Sequence, residues 1–269
     1  MASLFDILAL KPAGVDGFTA LAPSIGGPRI FGGAVVAQAM LAAYETVGGQ
    51  VCHSLHCYFI HPGDPATPIL YAVTRSRDGG SFATRHVAAM QDGRPILEMI
   101  ASFQRPAEGF EHGAAMPSVP PPDSLEDDDA RGASVGIQLR NVGVPRPGLV
   151  ATVEAPRHQM WFRSQSSLGD AIRHHQAALA YASDFPQLPT IVQPHPVTWR
   201  TPGFQFASLD HAIWFHRPLD FTRWHLCDMD TTASSQQRGL CRSSVYDEGG
   251  TLVATVVQEA MIRMRSAPD

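Results

Sequence analysis

Three polar side chains stand in otherwise apolar strand rows, and together they could activate a water molecule. By strand alternation Leu252, Ala254, Val256, Gln258, Ala260 and Ile262 share one face, where an unpaired Gln258 carboxamide would cost roughly 1–3 kcal/mol. Asp210 shares a side with Ala212, Trp214 and His216, an expensive place for a carboxylate without donors. Thr232 follows a strand running from Trp224 to Thr231, from where its hydroxyl could reach a neighbouring strand. Each alone reads more readily as a satisfied core or turn residue. Jointly, a carboxylate, a hydroxyl and a carboxamide can orient and deprotonate one water.

Other constellations fail on their surroundings. Gly132-Ala-Ser134-Val-Gly136 has the spelling of a hydrolase nucleophile elbow but lacks the apolar strand before it and the helix after it. Cys52, His53, His56 and Cys57 suggest zinc, yet on a strand Cys52 and His56 share one face while His53 and Cys57 share the other. Residues four apart also lie about 13 Å from one another along a strand, so no tetrahedral site is expected from this segment. The paired glycines at 26–27, 32–33, 48–49 and 79–80 never form a nucleotide-binding fingerprint.

The elements that must position these groups come in two similar sets. Gly32-Gly33 precedes a helix over Ala34 to Val47, with strands near 54–60, 69–76, 82–91 and 95–104. Asp170 is a plausible N-cap for a helix over Ala171 to Ala182, with strands near 209–216, 224–231, 238–246 and 251–264. Phe59 and Pro62 match Phe215 and Pro218 at an offset of 156, Arg85 matches Arg238 at 153, and Ile96-Leu97 matches Leu252-Val253 at 156 again. The pattern predicts two copies of one helix-plus-antiparallel-sheet unit, an α+β architecture. The expected division is an N-terminal unit at 1–106, a linker or surface loop at 107–147 that contains the proline-rich stretch Pro117 to Pro122 and the acidic run Glu126 to Asp129, and a C-terminal unit at 148–269.

With 269 residues, 44% hydrophobic and 17% charged, the chain has ample material for a core, and disordered or fibrous classes fall away. A formal charge of −5 supplies no basic field for nucleic acid or an anionic membrane. No apolar run approaches the roughly 20 residues of a membrane span. The start Met-Ala-Ser-Leu-Phe-Asp lacks the marks of a signal peptide, so a cytoplasmic setting with four free cysteines is expected.

Arg29-Ile-Phe-Gly-Gly-Ala-Val-Val-Ala-Gln38, His53-Ser-Leu-His-Cys-Tyr-Phe-Ile-His-Pro-Gly-Asp64, Asp78-Gly-Gly-Ser-Phe-Ala-Thr-Arg85, Ala101-Ser-Phe-Gln104, Leu209-Asp-His-Ala-Ile-Trp-Phe-His-Arg-Pro218 and Val257-Gln-Glu259 resemble the type II, TesB-like acyl-CoA thioesterases. The resemblance runs from about Phe5 to Met264. It implies a double hotdog fold, two helices each wrapped by a curved antiparallel sheet, and hydrolysis of fatty acyl-CoA without metal or organic cofactor. Of the family's Asp, Ser/Thr and Gln triad, the aspartate falls on Asp210, the hydroxyl on Thr232, with Thr231 and Ser234 as alternatives, and the glutamine on Gln258.

Within that reading Asp210 takes a proton from a water held by Thr232 and Gln258. The Gly32-Gly33 turn is the candidate substrate-binding element, open to the equal alternative of helix–sheet packing. The repeat offsets carry the three catalytic positions onto Ser54, Gly79 and Ser102, so only the C-terminal copy is expected to be catalytic. Acyl-CoA is the expected partner of a homodimer or homotetramer. The rival readings are an acyl-thioester-binding hotdog protein without turnover and a hotdog hydratase or dehydratase.

Overall fold

A computed structural model of the chain describes residues 3–24, 28–126, 136–143 and 157–265. Its helices are α1 (Leu4–Ile7), α2 (Gly32–Tyr44) and α3 (Ile172–Val192). The first strands are β1 (Lys11–Pro12), β2 (Gly17–Ala20), β3 (Val51–Phe59), β4 (Ile69–Asp78), β5 (Phe82–Gln91) and β6 (Arg94–Gln104). The remainder are β7 (Ile137–Val142), β8 (Arg157–Ser164), β9 (Phe204–Ser208), β10 (Asp210–Phe215), β11 (His225–Ser235), β12 (Arg238–Asp247) and β13 (Leu252–Met264). Gly26-Gly27, the acidic run from Asp127, Ser134 and the 147/148 boundary lie outside the described residues.

The strand order is a near-palindrome. The sheet runs β1-β2-β4-β5-β6-β3-β10-β13-β12-β11-β8-β7, with β9 also pairing β13, and every described pairing is antiparallel. Reading outward from the centre, β3, β6, β5 and β4 correspond to β10, β13, β12 and β11. The halves join where β3 pairs β10, and His56 is the register partner of Ala212. Those two residues are 156 apart, so the sequence offset places a local two-fold axis through this pair.

Each half wraps a helix, the double hotdog arrangement that the resemblance implies. Helix α2 is buried on all sides from Gly33 to Tyr44, as befits an alanine-rich segment enclosed by strands rather than lying on a surface. Its one amide side chain, Gln38, is fully satisfied: Nε2 donates to the carbonyls of Ile7 and Leu21, and Oε1 accepts from the Tyr71 hydroxyl.

Four expectations are corrected. Helix α2 ends at Tyr44 rather than Val47, and helix α3 continues ten residues past Ala182, through Pro186 and Pro189. Each proline costs about 3 kcal/mol in an isolated helix, but burial of Ala177 to Ala182 and of Ile191 and Val192 holds the segment in the core. The N-cap of α3 is Ala171, with no side-chain cap, rather than Asp170. Strand β7 lies inside the span 107–147 because Ile137 and Leu139 alternate into the core, while the proline-rich stretch crosses the second half and accepts the Trp161 indole N–H on the Pro120 carbonyl at 3.0 Å.

At Gly33 the backbone of α2 lies directly against that of α3. A Cβ there would stand 2.3 Å from the Tyr181 carbonyl oxygen and 2.7 Å from the Phe31 ring, and neither can retreat cheaply. Gly33→Ala is therefore expected to destabilise the chain by about 1–3 kcal/mol, read from urea denaturation.

Candidate active site

Four elements bring polar groups to one buried point. Gln258 on β13 has no exposed surface, and its Nε2 donates to Ser208 Oγ on β9 at 2.7 Å. Its Oε1 lies 2.5 Å from His211 Nδ1 on β10, and His211 Nε2 lies 3.0 Å from Ser183 Oγ on α3. The next residue of α3, Asp184, accepts the Gly33 N–H on Oδ2 at 2.8 Å. Asp184 thereby caps the first turn of α2, which has no side-chain cap of its own, at the positive end of the helix dipole.

A β-bulge makes this convergence possible. Ser208 pairs with Ala260 and Ala212 with Val257, so four steps along β9–β10 oppose three along β13. In a regular strand Ser208 and His211 would face opposite sides. The extra residue turns both toward Gln258.

Burial dominates the electrostatics. Desolvation raises the Asp184 pKa above its ordinary 3.8, opposed by His211, the Gly33 N–H and the side chains of Gln258 and Ser208. Asp184 Oδ1 is buried without a donor in full hydrogen-bond geometry, although Gln258 and Ser208 stand close enough to favour the charged form. The imidazole of His211 is held below 6.5 by burial, opposed by Asp184. Such a carboxylate is poised to accept a proton from a group brought against it.

The sequence profile of the acyl-CoA thioesterase family matches residues 146–261, and that of the acyl-CoA thioesterase N-terminal domain matches residues 21–104. Acyl-CoA thioesterase 2 of Haemophilus influenzae is 35% identical over 277 aligned positions that cover 97% of each chain. The chain belongs to the acyl-CoA thioesterase family. Acyl-coenzyme A thioesterase 8 of Homo sapiens is 33% identical, covering 96% of this chain and 88% of that one. Among solved structures, the acyl-CoA thioesterase II TesB2 of Mycobacterium marinum superposes with a TM-score of 0.85 at 37% identity, over 98% of this chain and 99% of that one.

Within this thioesterase the sequence-derived triad does not converge. Asp210 points away from His211 and Gln258 by alternation, and its Oδ1 accepts the Glu259 N–H at 2.6 Å. Thr232 is exposed at a bulge in β11, and β12 separates that strand from β13, so about 10 Å of sheet lies between Thr232 and Gln258. Of the alternatives, Thr231 Oγ1 donates to the Leu240 carbonyl and Ser234 Oγ lies 3.2 Å from His195 Nε2. Gln258 alone of the three faces the polar cluster.

Sequence reasoning passed over Asp184 and Ser208. The signal for Asp184 was a lone carboxylate in Ala177-Ala-Leu-Ala-Tyr-Ala-Ser-Asp184, an apolar helical run. Ser208 gave none, because its face depends on the bulge. Gly32 and Gly33 do border the cluster: a Cβ on Gly32 would stand 2.9 Å from Asp184 Oδ2 and 2.8 Å from the Phe59 ring. Among the described residues no group of three His, Cys, Asp or Glu side chains could hold a metal ion. The earlier zinc candidates have other contacts: His53 meets Ser102 Oγ at 2.8 Å, His56 packs edge-on against Trp214, and Cys57 Sγ donates to the His211 carbonyl.

The buried carboxylate can be titrated directly. A 13C-detected titration of Asp184 is expected to show a midpoint above 3.8, and Gln258→Leu is expected to raise it further by removing a donor to the charged form. A midpoint at or below 3.8 contradicts the assignment.

Proposed function

We propose that this chain hydrolyses acyl-CoA thioesters to the free acid and CoA, with Asp184 as general base and with Ser208 and Gln258 holding the attacking water. The observation that carries the reading is the meeting of a buried carboxylate, a hydroxyl and a carboxamide at the N-terminus of α2, in a chain of the acyl-CoA thioesterase family. These are the three residue types that the resemblance called for, supplied at two of the three positions by other residues.

The water oxygen forms a bond to the thioester carbon while Asp184 takes its proton. The resulting tetrahedral oxyanion is stabilised by the positive end of α2. Its collapse breaks the C–S bond, and the proton on Asp184 passes to the departing CoA thiolate. Weak resonance between sulfur and carbonyl, together with a good leaving group, lets a positioned water suffice without a covalent nucleophile.

Phe31 and Tyr181, whose ring centroids stand 5.1 Å apart, and Phe59 beside Gly32 offer apolar walls next to the cluster, which supports a fatty acyl substrate. One site per chain is supported by the unlike ends of the helix pair. Where α2 ends, the Tyr44 hydroxyl donates to Gln176 Oε1 and accepts the Cys52 N–H at 2.7 Å, and Gln176 Nε2 donates to the Cys52 carbonyl at 3.0 Å. Among the described residues no carboxylate joins those hydrogen bonds; Glu45, beside Tyr44, is half-exposed and pairs with Arg173 at 3.2 Å. In this reading the unit at 1–106 supplies the Gly32-Gly33 turn and core, and the unit at 148–269 supplies the catalytic groups.

The same reading takes the enzyme as a cytoplasmic homodimer or homotetramer of fatty acid metabolism, with neither nucleic acid nor membrane as a partner. The charge of −5 and the absence, among the described residues, of a helix long and apolar enough to cross a membrane support the lack of those partners. Tyr58 and Ile100, both exposed on the sheet, support self-association.

The test is release of free thiol from a medium-chain acyl-CoA. Asp184→Asn is expected to lose at least about a hundredfold in kcat/KM while Asp210→Asn loses less than about tenfold. The opposite order would return the role of base to Asp210, and binding without thiol release would make the chain a carrier or sensor.

A further inference from the structure

An amide side chain can sit in its site either way round, and the two orientations of Gln258 have opposite chemical consequences. With Nε2 toward Ser208 and Asp184, the carboxamide offers donors to the base and the hydroxyl. Turned over, it presents Oε1 to a carboxylate, which repels it. Ser208 does not decide between them, because a hydroxyl both donates and accepts. The group on the other side of Gln258 must decide, and that group is His211 Nδ1, 2.5 Å from Oε1.

The imidazole can enforce the productive orientation only if Nδ1 carries the proton. Burial keeps His211 neutral, so one ring nitrogen is a donor and the other an acceptor. Nε2 faces Ser183 Oγ at 3.0 Å, inside the core. That hydroxyl also donates to the Ala180 carbonyl at 3.1 Å, and since a carbonyl oxygen accepts two bonds this contact stands beside the helical Asp184 N–H, so Ser183 alone does not fix the tautomer. Gln258 Oε1 only accepts and stands 2.5 Å from Nδ1, so the ring proton is on Nδ1, and the bare Nε2 faces the Ser183 hydroxyl, whose proton it shares with the Ala180 carbonyl. A directional chain follows: Ser183 O–H to His211 Nε2, His211 Nδ1–H to Gln258 Oε1, Gln258 Nε2–H to Ser208 Oγ.

We propose that His211, as the Nδ1–H tautomer with Nε2 against Ser183, is a positioning residue for thioester hydrolysis that fixes the Gln258 carboxamide with its donors toward Ser208 and Asp184. This rests on the reading of Asp184, Ser208 and Gln258 as the catalytic set. His211 touches neither water nor substrate and acts through Gln258 alone. Its fully buried ring, on a strand face otherwise filled by side chains such as Ile213 and Phe215, has no need of polarity for packing.

Two isosteric replacements separate positioning from packing. An asparagine amide falls where Nδ1 stands and can donate to Gln258, whereas a glutamine amide falls where Nε2 stands and meets Ser183 instead. His211→Asn is expected to stay within about fivefold of the parent kcat, and His211→Gln to lose about ten- to a hundredfold in kcat with KM for the acyl-CoA within about threefold. In parallel, 15N spectra of the histidine-labelled parent enzyme are expected to show Nδ1 protonated and Nε2 bare.

Equal losses in the two folded variants, or unchanged kcat in His211→Gln, would overturn the proposal. So would a spectrum with the proton on Nε2, which is decisive even where a variant fails to fold. Retained turnover in Asp184→Asn would instead overturn the catalytic set itself, which keeps the two failures apart.

Discussion

A carboxylate buried between two helices is the constraint around which this structure is arranged. Asp184 sits in the middle of α3, in a stretch of alanines that could have accommodated another small apolar residue, and its Oδ2 meets the first turn of α2. A negative charge at a helix N-terminus recovers at most about 2 kcal/mol in a partly buried setting, whereas desolvating a carboxylate costs several kcal/mol. The imbalance shows as a raised pKa, and it makes the group a proton acceptor. It also dictates the glycines: the contact requires the backbone of α2 to touch α3, and any side chain at Gly33 would strike the Tyr181 carbonyl.

The duplicated architecture supplies the place where such a contact can form. Two helices, each enclosed by its own strands, meet antiparallel along the local two-fold axis through the β3–β10 pair, so the helix pair has two geometrically related ends. Side-chain chemistry makes them unlike. One end has a buried carboxylate on a helix N-terminus; the other is closed by the Tyr44, Gln176 and Cys52 hydrogen bonds, with its carboxylate, Glu45, half-exposed and paired with Arg173. A symmetric scaffold thus carries an asymmetric site, and the asymmetry resides in a few side chains rather than in the fold.

Around Asp184 the polar groups form a chain rather than a set of independent contacts. Each amide or imidazole can be reversed at small steric cost, so the direction of every hydrogen bond depends on the next one along. Ser183 and Asp184, adjacent on α3, stand at the two ends of this chain: one meets the imidazole, and the other lies where the Gln258 and Ser208 side chains favour its charged form. The low dielectric of the core makes a wrongly directed member costly, which favours a single arrangement.

The repeat, the strand positions and the offset of 156 were legible in the sequence because they rest on local periodicity, which survives without knowledge of contacts. Gln258 was legible for the same reason, as a carboxamide in an otherwise apolar alternating row. Its partners were not. Alternation carries facing information along a strand only until a bulge, and the extra residue between Ser208 and Ala212 puts Ser208 on the side of His211. Asp210 does share a face with Ala212 and Trp214, but that row is the half-buried one, while His211, Ile213 and Phe215 fill the core. Asp184 lies on a helix some seventy residues before Gln258, and nothing in its neighbourhood along the chain states which strand face it will meet. Residue types and periods are properties of short segments, but a catalytic point is where segments distant in sequence come within about 3 Å of each other, and only the packing of α3 against α2 and β13 decides that.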